Sequence, residues 1–252
     1  MADVLVRYEA DRGIARITLD SPRNRNALSA ALTRQLASAL SAAADDPAVR
    51  AVQLTHTGGT FCAGADLAEA RQGGMAEGTR RLTALLRQIV ALPKPAVASL
   101  DGHVRAGGIG LIGACDIALA GPATTFAFSE VKLGLAPAMI SLTTLPRLTA
   151  RAASRYYLTG ETFGPQQAAT MGLITEAVED IAAGTSTVLD ALRAASPQGL
   201  AETKPLLTAA LLARFDADSE ALAAQSARLF ASAEAAEGMA AFAERRPPSW
   251  AV

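Results

Sequence analysis

The spacing of apolar positions changes along the chain, and each change predicts a different element. Between Val4 and Asp20, Ala15, Ile17 and Leu19 alternate with polar residues and Asp11-Arg12-Gly13 supplies a turn, which predicts a β-hairpin. A polar loop, Ser21-Pro22-Arg23-Asn24-Arg25-Asn26, follows. Leu28, Leu32, Leu36 and Leu40 then recur at helical spacing until Asp45-Asp46-Pro47 ends the pattern. Ala51-Val52-Gln53-Leu54 reads as a strand, and Leu82, Leu85, Leu86 and Ile89 mark a second amphipathic helix. Further strands are predicted at Ala96–Leu100, Ile117–Ala120 and Thr125–Phe128.

Strands alternating with helices predict an α/β fold with helices packed on sheet. From Gly164-Pro165 onward the pattern changes: apart from a short strand at Ile174–Val178 it reads as helices, broken at Pro197 and near Phe215-Asp216. Leu211, Leu212, Leu222, Leu229 and Phe230 give this alanine-rich tail apolar faces. The organisation expected is therefore a core over residues 1–195 and a helical region over 196–252, with no tandem repeat visible in the residues themselves.

Composition narrows the class. The chain has 252 residues, half of them apolar, and a net charge of −1, which offers no electrostatic attraction to nucleic acid or to an acidic membrane. No apolar run is long enough to span a bilayer, and Met1–Arg7 lacks signal-peptide architecture. Cys62 and Cys115 make no disulfide framework, so a reducing cytoplasm is expected, with both thiols as small buried residues and not nucleophiles. Two histidines and no Cys/His cluster argue against a metal site.

Candidate chemistry sits in two glycine-bearing segments. One is Thr60-Phe61-Cys62-Ala63-Gly64-Ala65-Asp66-Leu67 and the other Asp101-Gly102-His103-Val104-Arg105-Ala106-Gly107-Gly108-Ile109-Gly110-Leu111. Each follows an apolar run and opens into a helical pattern. Small residues at such a junction let a ligand approach the backbone, with amides free to donate. Singly, each segment reads as a tight turn; two facing one pocket would hold a developing oxyanion, such as that of a thioester becoming an enolate.

Further segments continue the register: Ser21-Pro22-Arg23-Asn24-Arg25-Asn26-Ala27-Leu28, Lys94-Pro95-Ala96-Val97-Ala98, Cys115-Asp116-Ile117-Ala118, Phe128-Ser129-Glu130-Val131-Lys132-Leu133-Gly134 and Glu237-Gly238-Met239-Ala240-Ala241-Phe242. In order and spacing this series resembles the enoyl-CoA hydratase/isomerase (crotonase) superfamily, and within it the bacterial enoyl-CoA hydratases, over nearly the whole chain. The resemblance implies a spiral of repeated ββα units with a C-terminal helical region that mediates trimerisation. It also implies an acyl-CoA thioester as substrate, assembly as a homotrimer or dimer of trimers, and no cofactor, coenzyme A being part of the substrate.

Residue by residue, the resemblance makes the backbone amides of Ala65 and Gly107 the oxyanion donors and Glu130 the general acid/base. Without it, Glu130 reads as a carboxylate opening a short helix with Ser129. Arg23 and Arg25 fall where the family contacts the CoA phosphates, and Ala63, Asp66 and Leu67 belong to the same substrate-binding segment. An exposed loop arginine is otherwise simply solubilising. Another basic contact some members carry is replaced here by Ala68.

One departure bears on the reaction. Gly110 stands where typical hydratases of the family carry a second glutamate, so one acid remains in the aligned positions. Asp66, His103 and Ser141 are the remaining polar groups for holding a water, against a structural or solvent-facing role for each. Met139 is expected to shape the acyl pocket, or else to be ordinary core. The reading is a 2-enoyl-CoA hydratase, with a Δ3–Δ2 enoyl-CoA isomerase using Glu130 alone and a non-catalytic acyl-CoA-binding protein as alternatives.

Overall fold

The computed structural model describes residues 3–66, 68–69 and 75–252. The hairpin forms as the alternation predicts: β1 (Val6–Asp11) pairs antiparallel with β2 (Ile14–Leu19). Arg12 and Gly13 between them have φ of 42° and 81°, the left-handed pair that a two-residue turn needs to match the strands' twist. Helix α1 (Ala30–Asp45) starts where Ser29 Oγ accepts from the Leu32 amide at 3.2 Å, and it buries Leu32, Leu36 and Leu40.

A structural repeat follows that no residue repeat announces. Strands β3 (Ala51–His56) and β4 (Thr60–Cys62) lead to α2 (Met75–Ala91). Strands β5 (Ala96–Leu100) and β6 (His103–Arg105) lead to α3 (Gly107–Ala114). Strands β7 (Ile117–Ala120) and β8 (Thr125–Ala127) lead to a 3-10 turn at Ser129–Leu133. In every unit the first strand joins one sheet and the second joins another. Among the described residues the large sheet has the order β1-β2-β3-β5-β7-β9 and the small one β4-β6-β8, where β9 is Glu176–Ala177. All pairings except β1–β2 are parallel. This is the ββα spiral that the resemblance implied.

The remaining helices are α4 (Ser141–Thr144), α5 (Ala150–Thr159), α6 (Pro165–Thr170), α7 (Ile181–Ala194), α8 (Pro197–Phe230) and α9 (Ala233–Glu244). The break expected near Phe215-Asp216 does not occur, and α8 runs straight through it. Phe215 is buried in the core while Asp216 pairs with Arg87 of α2 at 3.0 Å, so packing against α2 carries the helix past residues whose local preference is weak. Among the described residues no helix is long and apolar enough to cross a membrane.

A buried cation joins α8 to the core. Lys204 Nζ lies 2.9 Å from Asp116 Oδ2 and donates to the carbonyls of Ile89 (3.1 Å) and Lys94 (2.9 Å), while Asp116 Oδ2 also accepts from the Ala96 amide at 2.7 Å. The end of α2, the start of β5 and the start of β7 thus meet at one ammonium group. Lys204→Ala leaves Asp116 buried beside an empty position and is expected to cost about 3–5 kcal/mol. Arg87→Ala, which removes an exposed pair between the same two helices, should cost under about 1 kcal/mol. Denaturant titration of both variants checks the contrast.

Candidate active site

The three strands of the small sheet run parallel, and just beyond their C-terminal ends stand Ala65, Gly107 and Glu130. Ligands of parallel sheets gather at that end, where successive loops converge. Here the loops open on a cleft of about 610 Å³ lined by all three residues and by Arg23, Arg25, Ala63 and Asp66. Its apolar wall includes Leu28, Leu82, Leu133, Met139, Ile140, Phe230 and Phe242. Met139 borders the cleft and at the same time packs, buried, in the main hydrophobic core. Leu67 lies outside the described residues.

Close backbone contact brings the two glycine turns together. Gly64 has φ +92°, and a methyl group there would lie 2.8 Å from Ala106 Cβ and 3.5 Å from the Gly107 nitrogen. A side chain is excluded on both counts, conformation and space. The turn is fastened to the loop before α1: the Leu28 amide donates to Gly64 O at 2.8 Å and the Ala63 amide to Arg25 O at 3.1 Å. Across from it Ala106 adopts φ 46°, ψ −119°, a strained backbone for a residue with a Cβ. The β6–β8 pairing holds it there, with the Ala106 amide reaching Ala127 O at 3.4 Å. That turn starts α3 at Gly107 without a side-chain cap. Among the described residues neither the Ala65 nor the Gly107 amide donates to a protein acceptor, and at Gly107 the helix dipole adds to the donor's positive end.

Glu130 enters from the 3-10 turn, whose carbonyl at Glu130 accepts from the Leu135 amide at 3.0 Å. One oxygen of its carboxyl is buried: Oε2 is inaccessible to solvent and has no hydrogen-bond partner. Burial pushes its pKa up from 4.5 to about 7, against a small opposing pull from its own backbone amide. Tyr157, half-buried near this carboxyl, is raised well above its usual 10, by desolvation first and also by the negative charge of Glu130. Its hydroxyl is satisfied by Thr144 Oγ1 at 2.5 Å.

Arg23 and Arg25 sit on the 3-10 turn Pro22–Asn24 and its left-handed exit. Asn26, wholly buried, fixes that loop by accepting from the Ser21 amide (2.7 Å) and donating to the carbonyls of Thr57 (3.2 Å) and Thr60 (2.7 Å). Of the three polar groups considered for holding a water, Asp66 and His103 line the cleft and Ser141 does not. Asp66 Oδ1 accepts from the amides of Ala68 (2.9 Å) and Glu69 (3.3 Å), His103 Nδ1 bonds Thr125 Oγ1 at 2.8 Å, and Ser141 Oγ donates to Ala138 O at 2.6 Å. Both cysteines are fully buried, and burial pushes each thiol up to about 12, which leaves them inert as nucleophiles at neutral pH.

The space beside Gly110 is filled. A methyl group there would lie 2.6 Å from Ile140 Cγ2 and 3.4 Å from Leu86 Cδ1, so no acidic side chain fits this packing. Conversely, the cleft wall contains polar groups that no motif flagged: Thr33, Thr79, Arg81 and Ser226. Thr79 and Ser226 are distant in sequence, yet α2 and α8 bring their hydroxyls within 3.4 Å. Their only local signal is a polar residue on the packed face of a helix.

Comparison with known proteins gives the site its context. Residues 9–252 match the enoyl-CoA hydratase/isomerase family. A Rhodobacter capsulatus protein named a probable enoyl-CoA hydratase is 34% identical over 96% of this chain and 96% of its own. The crystal structure of an enoyl-CoA hydratase from Mycobacterium avium is 55% identical, with a TM-score of 0.93 over 99% of this chain and 100% of that one. A carnitinyl-CoA hydratase from Mycobacterium avium is 28% identical, with a TM-score of 0.88 over 99% of both chains.

Two stability measurements check this geometry. The folded chain keeps the Glu130 proton between pH 4.5 and about 7, where the unfolded chain has lost it. Stability from Glu130 is thus full below 4.5 and lost as pH rises through 7. Glu130→Gln should raise the melting temperature at pH 8 relative to the native chain, with that gain shrinking towards pH 4. Gly110→Ala should cost about 1–3 kcal/mol by overpacking against Ile140, read from denaturant midpoints.

Proposed function

The chain belongs to the enoyl-CoA hydratase/isomerase family, and from that premise we propose that it adds water across the 2,3 double bond of a 2-enoyl-CoA thioester. The observation that carries the reading is the convergence on one cleft of two unpartnered amides and a carboxyl whose Oε2 is buried without a partner. In this reading the thioester oxygen accepts from the Ala65 and Gly107 amides, which draws electrons from the double bond and leaves C3 electrophilic. Each such donor lowers the barrier by about 3 kcal/mol. The Glu130 carboxylate takes a proton from water as the oxygen bonds to C3, and the resulting enolate takes that proton back at C2. One carboxyl serves both steps, since a group titrating near 7 is available in either form at neutral pH.

Arg23 and Arg25 are read as the contacts to the CoA phosphates, for which a permanently charged, planar group is suited, with Ala63 and Asp66 beside the thioester. The expected homotrimer or dimer of trimers has exposed apolar side chains available on α8, Leu206 and Leu207 among them. A cytoplasmic location and a reaction without a cofactor belong to the same reading.

Glu130→Gln should lower kcat by about a hundredfold or more while acyl-CoA binding persists. For the native enzyme kcat/KM should fall as pH drops below about 7, because the base must be ionised. Product masses from a 2-enoyl-CoA should show the gain of one water. Interconversion of 2-enoyl and 3-enoyl isomers without that gain would make the single carboxyl an isomerase's instead. Binding without turnover of either would make the protein a non-catalytic one.

A further inference from the structure

Arg81 is a cation of the cleft wall, carried by α2. Its side chain is only 23% exposed, and its Nε is buried with no hydrogen-bond partner. Its terminal nitrogens form ion pairs with the neighbouring carboxylates, which leave Nε unbonded. Glu69 and Glu77 both stand 3.6 Å away, beyond hydrogen-bond reach. Glu69 is already committed to the Ala30 amide at 3.0 Å, and Glu77 to Arg80 at 2.5 Å. Arg105 makes a useful contrast: it lines the same cleft but spends its donors on Val104 O, Thr125 O and Thr125 Oγ1. A buried N–H without an acceptor is costly, and the planar guanidinium fork matches a carboxylate.

Position says which part of the substrate meets it. Arg81 is next in the chain to Leu82, whose Cδ2 lies 3.5 Å from the point where a Gly107 Cβ would stand. It therefore belongs to the wall of α2 and α8 beside the thioester position, with the buried Thr79 and Ser226 hydroxyls on that wall. Arg23 and Arg25 belong to a different wall, the loop before α1.

We propose that Arg81 selects the acyl group: the substrate is a 2-enoyl-CoA whose acyl chain carries a second carboxylate, which the Arg81 guanidinium grips. This rests on the hydratase reading above, and deepens it by naming the substrate class. The anion could come from the acyl chain or from a CoA phosphate, and the experiment separates the two.

The test offers pairs of 2-enoyl-CoA esters of five to eight carbons, one member methyl-ended and the other ending in a carboxylate. Hydration is followed with the native enzyme and with Arg81→Gln and Arg81→Lys. Binding of the same esters and of free CoA is measured by calorimetry on a Glu130→Gln background. At one chain length the native enzyme should favour the carboxylate ester by about tenfold or more in kcat/KM, and Arg81→Gln should erase that preference while Arg81→Lys retains part of it. Equal use of both esters, or preference for the methyl-ended one, overturns the proposal. So does an equal loss of affinity for all esters and for free CoA in Arg81→Gln, which would assign the arginine to a phosphate. Carboxylate-selective binding that depends on Arg81, without hydration of any ester, would refute the hydratase reading and leave the acyl-carboxylate contact standing. Arg81→Lys keeps the charge at this wall, so the test survives if the glutamine variant fails to fold.

Discussion

The site depends on the pairing of three very short parallel strands. Thr60–Cys62, His103–Arg105 and Thr125–Ala127 are three residues each, too short to persist unless buried. Their pairing fixes the relative heights of the loops that follow, so Ala65, Gly107 and Glu130 come to one cleft from points far apart in the chain. The large sheet and its helices supply the burial that keeps these strands in register. The alternation of first strand to one sheet and second strand to the other is what brings three successive loops to the same end.

Within that frame the chemistry comes from groups denied their usual partners. The Ala106 backbone is held in a strained conformation by sheet pairing, which leaves the first amide of α3 pointing at the cleft. Glu130 Oε2 is buried without a partner, and burial destabilises the charged form and raises the pKa to about 7. Arg81 is a third instance, its Nε buried in the cleft wall without a partner. Strain and unmet hydrogen bonds gather where a ligand can relieve them.

The same packing decides what the site lacks. Helix α3 is buried along its whole length, and its glycines admit Ile140 and Leu86 right against the backbone at Gly110. Tight approach there firms the base of the Gly107 turn and at once excludes a side-chain acid at position 110, a consequence of how α2, α3 and the Met139–Ile140 segment pack together.

Much of this was legible in the residues. The hairpin, α1, the strands of the large sheet and the two glycine turns follow from local period and turn chemistry, which neighbouring residues decide among themselves. The family followed from motif order, and with it the expectation placed on Glu130, Ala65 and Gly107, which the fold brings to one cleft. The uninterrupted α8 was not legible, because a buried Phe215 and the Asp216–Arg87 pair outweigh a weak local preference only after α2 is in place. Nor was the repeat, which lies in strand order and not in residue identity. Arg81, Thr79 and Ser226 looked like ordinary helix positions, and the reason is physical: a group's solvation and its partners depend on elements over a hundred residues away. The sequence by itself determined which elements form and which turns expose amides. Tertiary packing alone decides that Glu130 Oε2 is buried without a partner, that position 110 has no room, and that Arg81 Nε meets no acceptor in the cleft wall.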